Sequence, residues 1–437
     1  MERTLYGDLV AWKHSSSRKP LIIRGVRQVG KTWLMKEFGK REYKNYVYVN
    51  FDRDAWAKDM FVQDYDINRI LLLLQAYTGI QVVAGETLII FDEIQEAKRG
   101  LGALKYFCEE APQHHVVAAG SLLGIAMHSM ESFPVGKVNV LTLYPMTFAE
   151  FLMAVGNSEM LKPIKDLDWE TMKMLDSILV DKLRTYYFVG GMPEAVQSFV
   201  SNQNFADIRR IQSEILTSYR NDIGKHAPKA EVPRINMVLD SIPSQLAKEN
   251  KKFIYGALKH GARSKDFEMA IQWLIDAGIV YKVNRVSEAK MPLKFYEDIT
   301  VFKLFLADCG LMGCLADAPI AQIVTKNEIF SEYKGAFTEN YVLAQLKPLD
   351  IPIYYWSSNS SQCEIDFLVQ AGLRIVPLEV KAEENVRSQS LSTYCKTISP
   401  DLKGLRCSMK PYIDQGWMEN IPLYSVEAHL KAIADGN

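Results

Sequence analysis

The chain has 437 residues, 48% of them hydrophobic, with 51 basic residues against 52 acidic ones for a net charge of −1. That length predicts roughly two to four domains, and the hydrophobic share is ordinary for full globular cores. The charge balance excludes a polycation, so any nucleic-acid surface has to be a local patch. Six scattered cysteines form no CxxC pair, which argues against a zinc site or a disulfide framework.

Short apolar runs alternate with helical spacing through the first part of the chain. Leu21-Ile22-Ile23 reads as a buried strand, and Lys31–Phe38 as a helix stopped by Gly39. Val47–Phe51 is a second strand, Ile67–Tyr77 a helix, Thr87–Phe91 a third strand, Leu101–Glu110 a helix, Val116–Ala119 a fourth strand and Val138–Leu143 a fifth. Continuous apolar strands alternating with helices predict an α/β fold with a parallel sheet covered on both faces. Residues 151–247 read mostly as helices, broken at Gly190-Gly191-Met192-Pro193. Short helices and two strands, Ile279–Val286 and Val301–Leu306, outline a winged helix. From about residue 330 the pattern returns to mixed α/β. It has a helix at Ala336–Leu346, a strand at Ile353–Trp356, and Glu364–Val369 and Ile375–Val380 paired around a Gln370–Gly372 turn. The first residues show no apolar signal-peptide core, and Ile70–Leu74 is too short to cross a bilayer. A cytoplasmic protein without a membrane partner is therefore expected.

Gly25-Val26-Arg27-Gln28-Val29-Gly30-Lys31-Thr32 fits G-x-x-x-x-G-K-[ST] without gaps, between a buried strand and a helix. In such a loop the glycines let the backbone N–H groups face phosphate oxygens, and the helix N-terminus adds positive potential. Lys31 is then expected on the β- and γ-phosphates of ATP, and Thr32 on Mg2+. Asp92 and Glu93 end an apolar strand. Asp92 is expected in the Mg2+ shell, with Glu93 acting on the attacking water; a plain helix cap is the alternative for Glu93. Ser121 closes the fourth strand as a γ-phosphate sensor or as an N-cap. Arg27 and Arg220 are the candidates for an arginine finger or for ordinary surface ion pairs.

Taken with Phe91-Asp-Glu-Ile-Gln95, Ala119-Gly-Ser121, Tyr144-Pro-Met-Thr-Phe-Ala-Glu-Phe151 and Gly190-Gly-Met-Pro193, the phosphate loop gives the chain a family likeness. It resembles the bacterial and archaeal AAA+ ATPases that end in domain of unknown function 4143, over nearly its whole length. The group is similar to signal-transducing ATPases with a Gly-x-Pro element, and that likeness implies Pro193 near the adenine or ribose. A simple turn is the other reading of Gly190–Pro193.

Lys248–Lys265 holds six Lys/Arg and one Glu, a local basic excess suited either to phosphate contact or to plain solvation. Further on, the strand ends place Asp366 beside Glu379, with Lys381 two residues on and Glu339 on the preceding helix. Asp366 and Glu379 would share a divalent cation with Glu339 as a third carboxylate, and Lys381 would position water or stabilise phosphate charge. Asp366 and Glu379-x-Lys381 resemble the PD-(D/E)xK nuclease signature, although its preceding Pro is absent. These readings divide the chain into an AAA+ domain with a helical extension (1–200), a helical and winged-helix-like segment (201–325) and a nuclease-like domain (326–437). The expected function is ATP binding and hydrolysis coupled to binding or cleavage of nucleic acid, DNA rather than RNA. The alternative is an ATP-dependent switch that sets oligomeric state, as in a homo-oligomer, and whose C-terminal domain only mediates interactions.

Overall fold

A computed structural model describes all residues except 122, 126–132, 249–250, 320–330, 359–362, 383–387 and 437, with backbone alone at 331–333. Glu249 and Asn250 of the basic stretch thus lie outside the described residues. The chain divides into two compact units, Met1–Tyr144 with Asp276–Gly278, and Pro145–Ile275 with Ile279–Asn437.

The first unit is built on five strands: β1 (Leu21–Arg24), β2 (Asn45–Asn50), β3 (Thr87–Asp92), β4 (His115–Ala119) and β5 (Asn139–Thr142). Their order is β2-β3-β4-β1-β5 and every pairing is parallel. All residues of β3 and β4 are buried, which is why both read as unbroken apolar runs rather than alternating ones. Ala119 pairs with Ile23 on one side and with Asp92 on the other. The C-terminal ends of β1, β3 and β4 therefore meet along one edge, where parallel α/β sheets bind ligands. Gly39 does not stop its helix, which runs Lys31–Glu42. A Cβ there would lie 2.9 Å from the Tyr46 ring, so the glycine serves a close helix–strand approach instead.

The second unit opens with helices Phe148–Ala154, Trp169–Val189, Pro193–Asn202, Phe205–His226 and Val232–Leu246. Thr147 starts the first of these through a full capping box with Glu150. The remaining strands are β6 (Val280–Val286), β7 (Glu297–Leu306), β8 (Ile353–Ser357), β9 (Glu364–Ala371), β10 (Arg374–Val380), β11 (Gly404–Ser408), β12 (Ile413–Asp414) and β13 (Met418–Pro422). They form one mixed sheet in the order β12-β13-β11-β10-β9-β8-β6-β7. The strand pair expected for a wing, β6 with β7, is thus hydrogen-bonded into this sheet, through parallel pairing of Arg285 and Val286 with Tyr355 and Trp356. The β9–β10 hairpin forms as expected, but its tip is Gly372-Leu373, since Ala371 pairs with Arg374. Gly372 supplies the positive φ of 58° that the short turn needs. Among the described residues no helix is long and apolar enough to cross a membrane, and all six cysteines are free thiols.

The Gly190–Pro193 break is a built junction. Gly190 has φ 72°, and Pro193 is the first residue of the following helix, where its missing N–H costs nothing. The buried Asp308 carboxylate accepts from Gly191 N–H at 2.6 Å and from Leu311 N–H at 2.8 Å. Met146 N–H donates to Gly191 C=O at 2.7 Å. Tyr186 hydroxyl donates to Met146 C=O, and Gln345 Oε1 accepts from Phe148 N–H at 2.7 Å. The Tyr144–Phe151 and Gly190–Pro193 segments are therefore bonded to each other. Burial raises the Asp308 pKa to about 6 against these donors. Asp308→Ala is expected to cost about 1–3 kcal/mol, as for buried donors stripped of their partner. The readout is the urea midpoint, and an unshifted midpoint would show that the junction holds without the carboxylate.

Candidate functional site

The phosphate loop leaves β1 at Gly25 and enters the next helix at Lys31. Gly25 and Gly30 have φ 153° and 97°, and Gln28 between them has φ 65°. A Cβ on Gly25 would lie 2.2 Å from the Leu143 carbonyl oxygen, so this position tolerates only glycine. Val26 and Val29 are buried beneath the loop, and Arg3 donates to Val29 C=O at 2.9 Å and Tyr144 C=O at 2.5 Å. Arg27 is exposed.

Lys31 turns its ammonium onto the loop itself, donating to Gly25 C=O at 2.7 Å and Val26 C=O at 3.1 Å. Burial lowers its pKa to about 8; the Glu93 and Asp92 charges oppose that shift and Arg27 adds to it. Thr32 hydroxyl donates to Asp92 Oδ2 at 2.7 Å, and Tyr48 hydroxyl donates to the same oxygen at 2.9 Å. A hydroxyl beside a carboxylate is a hard-oxygen donor pair that fits Mg2+. Thr32 and Asp92 are the residues that would hold it.

Glu93 stands at φ 52° and makes no side-chain cap bond to the short helix that follows, which removes the cap reading. Its Oε1 accepts from Ser121 hydroxyl at 2.8 Å. Its Oε2 accepts from Ser121 N–H at 3.1 Å and from the Gln95 amide at 2.7 Å. Burial pushes the Glu93 pKa up, but these donors and the Lys31 charge outweigh it, and the net shift is downward. The carboxylate is therefore held ionised. A Cβ at Gly120 would lie 2.0 Å from Gln95 Oε1, so a larger residue there would push the Gln95 amide aside. The sequence assigned no role to Tyr48 or Gln95. The Phe91–Gln95 segment contained the Gln95 signal; nothing local marked Tyr48.

Pro193 lies in the second compact unit, half-buried at the start of its helix. Arg220 is paired with Asp240 at 2.7 Å.

The C-terminal residues also come together. Leu378 pairs with Phe367 in the hairpin, which sets Glu379 opposite Asp366 at the next position, and Val380 N–H donates to Asp366 Oδ2 at 2.8 Å. Glu339 approaches from the Ser331–Leu346 helix and is 1% exposed. What joins the carboxylates is lysine. Lys251 donates to Glu339 Oε1, and its ammonium stands 3.9 Å from Asp366 Oδ1. Lys303, fully buried on β7, contacts Glu364 at 2.5 Å and Glu339 at 3.9 Å. Lys381 pairs with its own neighbour Glu379 at 2.5 Å. Burial, then repulsion from Asp366, raises the Glu339 pKa to about 7 despite Lys251 and Lys303. Burial also raises Glu379. It pushes Asp366 up as well, but there the pull of Lys251 and Lys303 outweighs it and the net shift is downward.

Among the described residues no three His, Cys, Asp or Glu are placed to hold a metal ion. The cationic place between Glu339 and Asp366 is taken by Lys251. Lys251 is accordingly not part of a basic surface, although Lys248, Lys252, Lys259, Arg263 and Lys265 around it are exposed. A lysine within the apolar run Val301–Leu306 was the sequence signal for Lys303; Lys251 looked like any member of a charge run.

Residues 17–152 match the family described as AAA domain, residues 180–321 domain of unknown function 8612, and residues 334–424 domain of unknown function 4143. The chain thus joins an N-terminal AAA-type, ATP-binding domain to a C-terminal domain of that last kind, as the motifs implied. No curated protein matches it. Among solved structures it is similar to the Walker-type ATPase PABY2304 of Pyrococcus abyssi, at 13% identity over 72% of this chain and 95% of that one, TM-score 0.45. It is also similar to the Aeropyrum pernix ORC2 protein in its ADP form, at 14% identity over 74% and 93%, TM-score 0.33. A third is the Aeropyrum pernix ORC1 protein in complex with DNA, at 14% identity over 74% and 92%, TM-score 0.26. Likenesses this distant transfer no role to this chain.

Proposed function

We propose that the chain hydrolyses ATP at the Gly25–Thr32 loop and uses the hydrolytic cycle to control its grip on nucleic acid. The observation that carries the ATPase reading is the meeting of Lys31, the Thr32–Asp92 pair and the ionised Glu93 at the ends of β1 and β3. Lys31 would leave the loop carbonyls for the β- and γ-phosphate oxygens, whose charge opposes the effect of burial on its pKa. Thr32 and Asp92 would hold Mg2+, whose chemistry when bound is to neutralise charge on the phosphates. Glu93, held by Ser121 and Gln95, would accept the proton of the attacking water. Release of Ser121 toward the γ-phosphate would free that carboxylate.

The nucleic-acid part rests on the exposed basic residues of the 248–265 stretch. Charge reversal at Lys252, Lys259 and Arg263 together is expected to weaken DNA binding. It should also flatten the salt dependence of log K against log[salt] by up to about 0.9 for each phosphate that is no longer neutralised. Fluorescence anisotropy of a labelled duplex across a salt series reads both effects. Wild-type protein without salt-sensitive binding, or an ATPase rate indifferent to DNA, would favour the alternative of a nucleotide switch with a protein-binding C-terminal domain.

A further inference from the structure

We infer that Lys251 is a tethered cation standing in for a divalent metal, so the nuclease-like carboxylates of the C-terminal sheet form a metal-independent site. Among the described residues Glu339 Oε2 and Glu379 Oε2 are buried without a hydrogen-bond partner; the two oxygens that face Lys251 are Glu339 Oε1 and Asp366 Oδ1. Glu339 Oε1 accepts from Lys251 and Asp366 Oδ1 lies 3.9 Å from the same ammonium. Asp366 Oδ2 is used by Val380 N–H at 2.8 Å, and Glu379 Oε1 by Lys381 at 2.5 Å.

The placement of Lys251 is fixed by its own backbone segment. Phe253 N–H donates to Phe302 C=O at 2.7 Å, binding the segment alongside β7. The Phe253 and Phe302 rings stack at 5.5 Å, and Ile254 N–H donates to Gln245 Oε1 at 2.7 Å. These anchors lie two and three residues beyond the lysine, so its ammonium is delivered to the carboxylates rather than sampling solvent. Lys303 adds a second buried ammonium 3.9 Å from the other Glu339 oxygen. A dication entering here would meet two largely buried ammonium groups, and like charges repel more strongly in a low-dielectric interior than in water. Displacing Lys251 from Glu339 would break a buried ion pair. The cluster has the outline of a nuclease site while its lysines perform the charge neutralisation that a metal would otherwise supply. The site is metal-independent whether or not the N-terminal ATPase reading stands.

The test uses full-length protein without nucleotide or nucleic acid, titrated with Mn2+ and followed by electron paramagnetic resonance of the free ion. Wild type is expected to show no Mn2+ uptake that depends on Asp366, so its titration and that of Asp366→Asn should superimpose. Lys251→Ala is expected to gain about one equivalent of Mn2+ that Lys251→Ala/Asp366→Asn loses again, as a freed carboxylate pair can hold one divalent ion. Lys251→Met, which keeps the apolar stem, serves if the alanine variant does not fold. Wild-type uptake abolished by Asp366→Asn would overturn the inference. So would folded Lys251 variants that take up none, because the lysine would then not be what excludes the metal.

Discussion

Glu93→Gln is expected to lower ATP turnover by about 10²–10⁴-fold, the usual contribution of a positioned general base, while ATP remains bound with near wild-type affinity. The amide keeps the size of the side chain and one acceptor for the Ser121 donors but cannot take a proton. Phosphate release at saturating ATP measures the first effect, and titration with a fluorescent ATP analogue measures the second. Turnover at the wild-type rate would assign the base to another group. Loss of binding as well would show that Glu93 shapes the loop rather than acting on water.

Lys31→Ala is expected to weaken ATP binding by about 10–100-fold, from the roughly 1.5–3 kcal/mol of a hydrogen bond to a charged group. The wild-type lysine spends its donors on Gly25 and Val26 carbonyls when no phosphate is present. Its removal therefore costs the loop two internal bonds as well as the phosphate interaction, and calorimetry should be accompanied by a thermal melt. Unchanged affinity in a folded variant would end the phosphate-loop reading.

The candidate nucleotide site could be read from the sequence because its parts are local. Gly25 through Thr32 are consecutive, and their conformation follows from where glycine is required. Asp92 and Glu93 close a run whose apolarity announces a buried parallel strand. Only the pairing of Thr32 with Asp92, and the holding of Glu93 by Ser121 and Gln95, needed the sheet to bring the strand ends together. The Gly39 expectation failed for a related reason. Glycine does weaken a helix, but here the packing of Tyr46 across the helix face outweighs propensity.

The C-terminal cluster divides differently. Strand alternation put Asp366 and Glu364 on one face and set Glu379 beside them, and the sequence carried that much. The cations came from elsewhere: Lys251 lies 88 residues from Glu339 and Lys303 lies 61 from Glu364. Asp308 likewise reaches Gly191 across 117 residues. No local period encodes such pairings, since a buried charge is matched by whatever opposite charge the folded chain brings near, and isolated burial of either would be too costly. The sequence by itself determined the phosphate loop, the parallel sheet that presents it and the carboxylates of the hairpin, because these follow from spacing along the backbone. Only the tertiary structure decided that β6 and β7 extend the C-terminal sheet and that lysines occupy the place between its carboxylates, because desolvation makes charge pairing a property of the packed interior.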